Sequence, residues 1–484
     1  MKTLSKIIFA SAIIICTSKI AIAQNYNDVL RLSEPGIIAG ARSLGMGNAY
    51  VALSNDFSAT LFNPAGLALI KKTELTGGLN YNSFDNSAGF FNQNSNLSNS
   101  VSKFSQFGVV LPFPTVRGSF VLAFGYNQSK DFNRTLSFNA FNPGNNSYIQ
   151  DLAYYNDDVA FKLALSYPLY DSKNNYLRDT TVIRGMLNQR GKIFQEGGLN
   201  SWSFSGAIEV EKDIFIGATV NFYSGIFKRS KDYFEEDKNN VYPSSVLLDP
   251  QEPGSADFRS FYLRDIIDWN ISSVGINLGA LIKVDKNFNI AAAARLPKTF
   301  RVRETYFLYG ESQFGTGSQF TYSPDNQRLE YNISTPPEYL LGASFFQDNI
   351  TLSASVTMID YSKAKFDSGF DVISLDNKNA DIQTLLRSVY NINAGFEYVL
   401  PYAGVALRGG FMLMPSSFKN DPPDYDKKFV TVGFGYKLTK SISLDAAFAY
   451  GWWKDIGDNY GSELSRTYQD IKTQNLITSF KYFF

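Results

Sequence analysis

Ile350-Thr351-Leu352-Ser353-Ala354-Ser355-Val356-Thr357-Met358-Ile359 alternates along its whole length. Ile350, Leu352, Ala354, Val356 and Met358 fall on one face of an extended chain, and Thr351, Ser353, Ser355 and Thr357 on the other. Successive side chains of a strand point to opposite sides, so such a segment presents one apolar and one polar wall. About ten residues is the length that crosses a bilayer as a tilted strand. The pattern recurs: Ile442, Leu444, Ala446, Phe448 and Tyr450 oppose Ser443, Asp445, Ala447 and Ala449, and Ile216, Ala218, Val220 and Phe222 oppose Gly217, Thr219 and Asn221. A soluble β-sandwich also alternates. Strand length, an export signal and an asymmetry of loop lengths decide for a membrane barrel.

Short connections occur at Glu211-Lys212-Asp213, Asp285-Lys286-Asn287, Gln347-Asp348-Asn349 and Leu438 to Ser441. Long polar stretches separate them, at 83–102, 128–200, 225–270, 302–336, 362–386, 415–427 and 453–474. Tight turns at one end and long loops at the other mark outer-membrane barrels, with the long loops outside the cell. Alternating up and down from Thr73 gives strands beginning near 73, 103, 117, 201, 214, 271, 288, 337, 350, 387, 405, 428, 442 and 475. The fold class is thus all-β, a transmembrane antiparallel barrel of fourteen strands, an even number as single-chain barrels require. Residues 128–200 are read as an extracellular lid. Pairing Ala160 to Pro168 with a further strand would raise the number to sixteen, but no stretch between 170 and 200 alternates to match it. In the last strand Leu476, Phe480, Tyr482 and Phe484 share the lipid face. A final aromatic at Phe484 resembles the signal read by the barrel-assembly machinery.

Residues 1–23 form a targeting leader: Lys2 and Lys6, the apolar run Ile7 to Ile15, then Ala21-Ile22-Ala23 before a cut. That run is too short for a membrane helix. Cys16 as a lipid-anchored residue is the weaker alternative, because Ile13-Ile14-Ile15 puts no small residue beside it. The mature chain, 24–484, therefore carries no cysteine, and the protein has no histidine at all. Disulfides, thiol nucleophiles, His-based triads and His-ligated metals are excluded together. No G-x-S-x-G elbow is present. The expectation is a protein that is not an enzyme and needs no cofactor or metal. Loss of Lys2, Lys6 and Lys19 with the leader leaves 42 basic against 45 acidic residues, which offers no footprint for nucleic acid. Charged residues make up 19% and aromatics 15% of the chain, with 41 Phe and 29 Tyr. Such a composition without a long apolar helix suits a closed barrel, in which every backbone polar group pairs between strands.

Residues 24–72 do not alternate. Asp28 to Leu32 reads as a short helix capped by Asn27 and halted by Pro35-Gly36. Gly40 to Ala52 is rich in small residues, and Asp56 or Ser54 is placed to cap a helix over 57–62 that Asn63-Pro64 stops. The glycines lack the following Lys-Ser/Thr of a phosphate loop. Small residues let a backbone lie close to a wall, so this segment is read as a hatch plugging the lumen, ahead of the barrel proper at 73–484.

Asn55-Asp56-Phe57-Ser58-Ala59 and Asn63-Pro64-Ala65-Gly66 resemble the N-terminal hatch of the FadL-type family of long-chain fatty acid transporters. Arg295-Leu296-Pro297-Lys298-Thr299-Phe300, Ile359-Asp360-Tyr361-Ser362 and Phe396-Glu397-Tyr398 resemble branches of the same family. The resemblance implies a fourteen-stranded barrel blocked by its hatch, an extracellular apolar pocket, and lateral exit of ligand through the wall. It implies transport of hydrophobic small molecules, with Asn63, Pro64, Ala65 and Gly66 as the hatch or gate. The same hatch pattern also resembles barrels that shuttle proteins to the cell surface, which is the alternative reading.

An apolar ligand needs an aromatic and aliphatic lining with a few polar anchors. Tyr154, Tyr155, Phe161, Leu163, Leu165 and Tyr167 in the lid supply such side chains, against the alternative that they pack the lid on itself. Alternation sends Arg295 and Arg408 into the lumen, to hold a carboxylate or, more commonly, to pair with lumen acids. Asp445 and Lys481 also point inward and are expected to pair across strands. The acidic groups Asp421, Asp424, Asp426 and Asp455, Asp458, Asn459, Glu463 do not fit a calcium loop and read as solvated charge. Expected partners are outer-membrane lipid, a hydrophobic ligand and the assembly machinery.

Overall fold

The computed structural model describes residues 24–37, 40–154, 158–460 and 463–484; the leader, Cys16 and Tyr155 lie outside the described residues. Fourteen antiparallel strands form a closed barrel. They are β1 Glu74–Phe90, β2 Gln93–Phe113, β3 Phe120–Asp131, β4 Asn188–Glu211, β5 Ile214–Glu236, β6 Phe258–Lys283, β7 Phe288–Arg295, β8 Glu338–Gln347, β9 Ile350–Asp360, β10 Ser388–Val399, β11 Val405–Met414, β12 Lys427–Lys437, β13 Ile442–Asp458 and β14 Arg466–Phe483. β1 closes on β14 from Glu74 opposite Phe483 to Gly89 opposite Tyr468, and the amide of Phe484 donates to the carbonyl of Thr73. Ala160 to Pro168 joins no barrel strand. It runs through a short helix and into the hairpin Tyr167–Tyr170 with Tyr176–Thr180, which sits outside the barrel sheet. Fourteen, not sixteen, is therefore the number.

The alternation holds in three dimensions. On β9, Ile350, Leu352, Val356 and Met358 are exposed to lipid while Thr351, Ser353, Ser355 and Thr357 are buried toward the lumen. The strands are longer than the hydropathy pattern indicated: β6 has 26 residues and β5 has 23, against the roughly 9–11 that span a bilayer. Much of 83–102, 225–270 and 302–336, expected as loop, is instead strand that continues outward. Above the membrane neither face must be apolar, so polarity stops alternating while the backbone ladder runs on. β2 shows this with Asn94, Asn96, Ser98 and Ser100 all exposed. In the lid, Arg134–Phe141 and the start of β4 are likewise strand. Residues 142–187 carry the short helices Tyr148–Tyr154 and Asp158–Lys162 and the small hairpin.

β7 and β8 break at the same height. Leu296-Pro297-Lys298 and Thr335-Pro336-Pro337 interrupt them before they resume as Thr299–Phe314 and Gln327–Ser334. Proline has no amide proton for a ladder, and the gap is stitched by Leu296 N to Ile276 O and Thr335 N to Lys298 O.

The hatch fills the lumen with four short turns of helix: Tyr26–Ser33, Ala41–Gly45, Ala59–Phe62 and a tighter 3-10 turn Pro64–Leu69. The first is capped by Asn25 rather than Asn27, with Asp28 completing a capping box. Asn63 ends the third and caps the fourth, its side chain accepting from Ala65 N. The hatch backbone lies on the wall where inward positions are glycine. A Cβ at Gly410 would come within 2.2 Å of Gly47 N, and one at Gly217 within 2.5 Å of the Pro64 carbonyl carbon. Replacing Gly410 with Val should therefore displace the hatch at a cost of about 1–3 kcal/mol from overpacking while the barrel still closes. The expected readout is tryptic cleavage after Arg42 in the variant but not in the parent, and unchanged resistance would contradict it.

Candidate functional site

At the periplasmic end the hatch is held by buried charge. Arg42 grips Glu397 with two bonds, Nη2 to Oε1 at 2.8 Å and Nε to Oε2 at 3.0 Å. Arg408 Nε donates to the same Glu397 at 2.6 Å and Nη1 to Asp445 at 2.7 Å. Lys481 Nζ holds Asp56 at 2.5 Å, and the Tyr50 hydroxyl donates to that carboxylate at 2.9 Å. Asp445 and Lys481 both point inward, but the expected pair between them does not form. Register sets Asp445 opposite Ser479 and Lys481 opposite Ser443, so each reaches another partner. A desolvated charge persists only when paired and hydrogen-bonded, and here hatch and wall supply each other's partners.

Asn63, Pro64, Ala65 and Gly66 sit against β5 and β6. The Asn63 amide donates to Val51 O at 3.0 Å and Ala280 O at 3.1 Å, joining hatch to hatch and hatch to wall. Arg295 faces the lumen and donates to the carbonyl of Leu61, at 2.9 Å from Nη2, and to Glu338 at 2.6 Å. Arg295 thus holds the hatch directly, and Arg408 does so only through Glu397, the wall carboxylate that hatch Arg42 grips. Sequence reasoning quoted Asp56 as a helix cap and Glu397 within a family-like motif, but placed neither of them, nor Arg42, in an ion pair. Their signal was charge at small-residue or inward positions near the turn end of the barrel.

Above this floor the helix Tyr26–Ser33 inserts Val29, Leu30 and Leu32 among Phe227, Trp269 and Phe300. Arg31 lies 4.1 Å over the Phe227 ring. Lys130 Nζ donates to the carbonyls of Arg31 and Glu34, and Lys427 pairs with Glu34 at 2.7 Å. Burial alone would raise the Glu34 carboxyl, but Lys427, Lys130 and Arg134 hold it down to about 2, so this carboxylate stays ionised at any ordinary pH.

The lid residues divide. Leu163 and Leu165 are fully buried in an apolar cluster with Ile149, Phe258 and Phe261, and Ser312 Oγ donates to Leu163 O at 2.6 Å. Phe161 and Tyr154 are exposed, and Tyr167 is half-buried in the hairpin. The lid residues and the two arginines are not brought together. Of the acidic loop groups, Asp424 pairs with Lys454 at 3.0 Å, while Asp421 and Asp426 accept from Ser416.

A discontinuity of the wall that the alternation did not reveal lies between β2 and β3. β2 and β3 pair only from Phe113 opposite Phe120 to Gln106 opposite Asn127. Beyond this, β3 slips register between Gln128 and Lys130 and pairs with β4 alone. Side chains bridge the open seam: Asn99 to Asn133, Thr135 to Leu97 O, and Lys103 to Gly197 O at 2.6 Å. A cavity of about 560 Å³ lies here, lined by Lys103, Tyr126, Gly197, Gly198, Asn200 and Trp202.

Arg408→Met should strand Glu397 and Asp445 as buried carboxylates short of a cation. Breaking a buried pair in this way costs roughly 3–5 kcal/mol and should lower the thermal unfolding midpoint. Arg301→Gln, at an exposed pair with Glu330, should leave that midpoint in place.

Residues 203–477, more than half of the chain, match the protein family described as outer membrane protein transport protein (OMPP1/FadL/TodX). No curated protein matches the chain. Among solved structures, a Pseudomonas aeruginosa FadL homologue is similar at 15% identity, covering 92% of this chain and 98% of its own, with a TM-score of 0.55. The P. putida toluene transporter TodX is similar at 12% identity, over 92% of this chain and 98% of its own, with a TM-score of 0.52. At these identities the two structures share the barrel fold with it.

Proposed function

The chain belongs to the outer membrane protein transport family (OMPP1/FadL/TodX), and from that premise we propose that it moves hydrophobic small molecules such as long-chain fatty acids across the outer membrane. Ligand is captured at the extracellular lid, passes the hatch and leaves sideways through the wall into the bilayer. The exposed rings of Phe161 and Tyr154 offer the first contact. Leu163, Leu165 and Tyr167 line the way in once the lid parts. Arg295 and Arg408 act by holding the hatch, and Asn63-Pro64-Ala65-Gly66 is the element that shifts. The supporting observation is the pairing of a charge-latched plug with a wall seam that lacks ladder bonds between β2 and β3. A solute stopped by the plug has an apolar route beside it. A bilayer whose outer face is coated in sugar repels apolar solutes, which makes such a route useful. Export through the leader at 1–23 and assembly through the β14 terminus at Phe484 belong to the same reading. The name of the similar toluene transporter widens the substrate class to small aromatics.

The test is mass spectrometry of hydrophobic compounds that co-purify with the protein, joined to uptake into proteoliposomes. Asn63→Ala removes the bonds to Val51 and Ala280, and Asn200→Trp fills the seam cavity. The expected result is a defined apolar ligand in the parent, retained by both variants, with uptake altered by the first and lost in the second. An empty barrel that instead captures a secreted protein would overturn the transport reading.

A further inference from the structure

The outer wall carries a second cavity beside the seam, on the other side of Phe104 and Phe107, which line both. Two rows of outward side chains cross β12, β13, β14, β1 and β2, and a bulge on β2 between Phe104 and Phe107 brings both of these to the outer face. The upper row is Phe434, Ala446, Thr478, Leu79 and Phe104; the lower includes Leu444, Phe480, Gly77 and Phe107. Ala446, Thr478 and Gly77 are adjacent small positions, and the six large side chains around them all stand exposed. The outcome is an apolar depression of about 610 Å³ in the lipid-facing surface, within the size range of small-molecule sites. A Cβ added at Gly77 would meet nothing within 4 Å, so the space is open. Behind it Ser479 accepts from the hatch amide of Ala41 at 3.0 Å, so the floor is backed by seated hatch.

Its height and surroundings specify an occupant. Gly77 and Phe480 lie four residues from Thr73 and Phe484, at the short-turn end of the barrel, which puts the depression in the periplasmic half of the bilayer. Below it the rim is cationic: Lys71 and Lys72 precede β1, Lys437 ends β12, and Lys440 lies in the turn to β13, all exposed. Lys427 and Lys481 hold Glu34 and Asp56; these four lysines have no ion pair among the described residues. A hydrocarbon-sized depression above a rim of free cations matches one amphiphile, with its tail in the depression and a negative headgroup at the rim.

We propose that this face binds one anionic phospholipid of the periplasmic leaflet, its acyl chain over Gly77 and Ala446 and its phosphate at Lys72, Lys437 and Lys440. The probe is native mass spectrometry of the full-length mature barrel in nanodiscs of mixed phosphatidylglycerol and phosphatidylethanolamine with identical chains. The parent should retain phosphatidylglycerol preferentially. Gly77→Leu, which the open space accommodates, should lose retention of both lipids. Lys72→Gln, Lys437→Gln and Lys440→Gln combined should keep the tail site but lose the headgroup preference, by about fivefold per lysine. Unchanged heat-modifiable gel mobility checks that each variant is folded. Equal retention of the two lipids by the parent, undiminished retention in folded Gly77→Leu, or displacement of the lipid by excess oleic acid alone would each overturn the proposal. Uptake is not part of this readout, so it stands or falls separately from the transport reading.

Discussion

Everything in this molecule depends on backbone hydrogen bonding in a medium without water. In hydrocarbon an unpaired amide or carbonyl costs several kcal/mol, and a sheet with free edges is therefore excluded. The closure of β1 on β14 removes the last edges. Once the ladder is closed, side chains are free to divide by face, with Leu352 and Val356 toward lipid and Ser353 and Ser355 toward the lumen.

A barrel of this girth needs its interior filled, and the filling uses two devices. Glycine at inward wall positions lets backbone touch backbone, as where Gly410 meets Gly47. Buried carboxylates and cations then link the two parts, through Arg42, Glu397, Arg408 and Asp445 in one chain of contacts and Asp56 with Lys481 in another. Close packing alone would fix the hatch, and paired charge makes its position specific, because a shifted hatch leaves charges without partners. An element held by such discrete bonds has a defined seated state, as a gate requires.

The seam between β2 and β3 and the depression over Gly77 are two departures from a uniform wall, and they differ in kind. At the seam the ladder itself ends, and side chains such as Lys103 and Asn133 replace it. At Gly77 the ladder to β14 is intact and that to β2 continues past a bulge between Gly78 and Leu79, and the side chains are small. The first is a place where the wall can part. The second is a place where something can rest against it.

The periodicity of segments such as 350–359 was enough to determine the fold class and to favour fourteen strands, since the bilayer forces polarity to follow the pleat. The short turns at 211–213, 285–287, 347–349 and 438–441 were legible, while the two-residue turn at Phe91-Asn92, outside the membrane, was not. The hatch was legible as a stretch without alternation, and the lumen side of Arg295 and Arg408 followed from parity. Strand ends were not legible: above the membrane β2 continues through Asn94, Asn96 and Ser98 because pairing there is set by backbone geometry, not hydropathy. Which charges meet was also beyond the sequence. Asp445 and Lys481 are close in strand order, yet a stagger of two residues sends one to Arg408 and the other to Asp56. Nor could a single strand reveal that β2 loses its neighbour beyond Gln106, or that Gly77, Ala446 and Thr478 share one spot. These are properties of register between strands, and register is decided only when all fourteen close together.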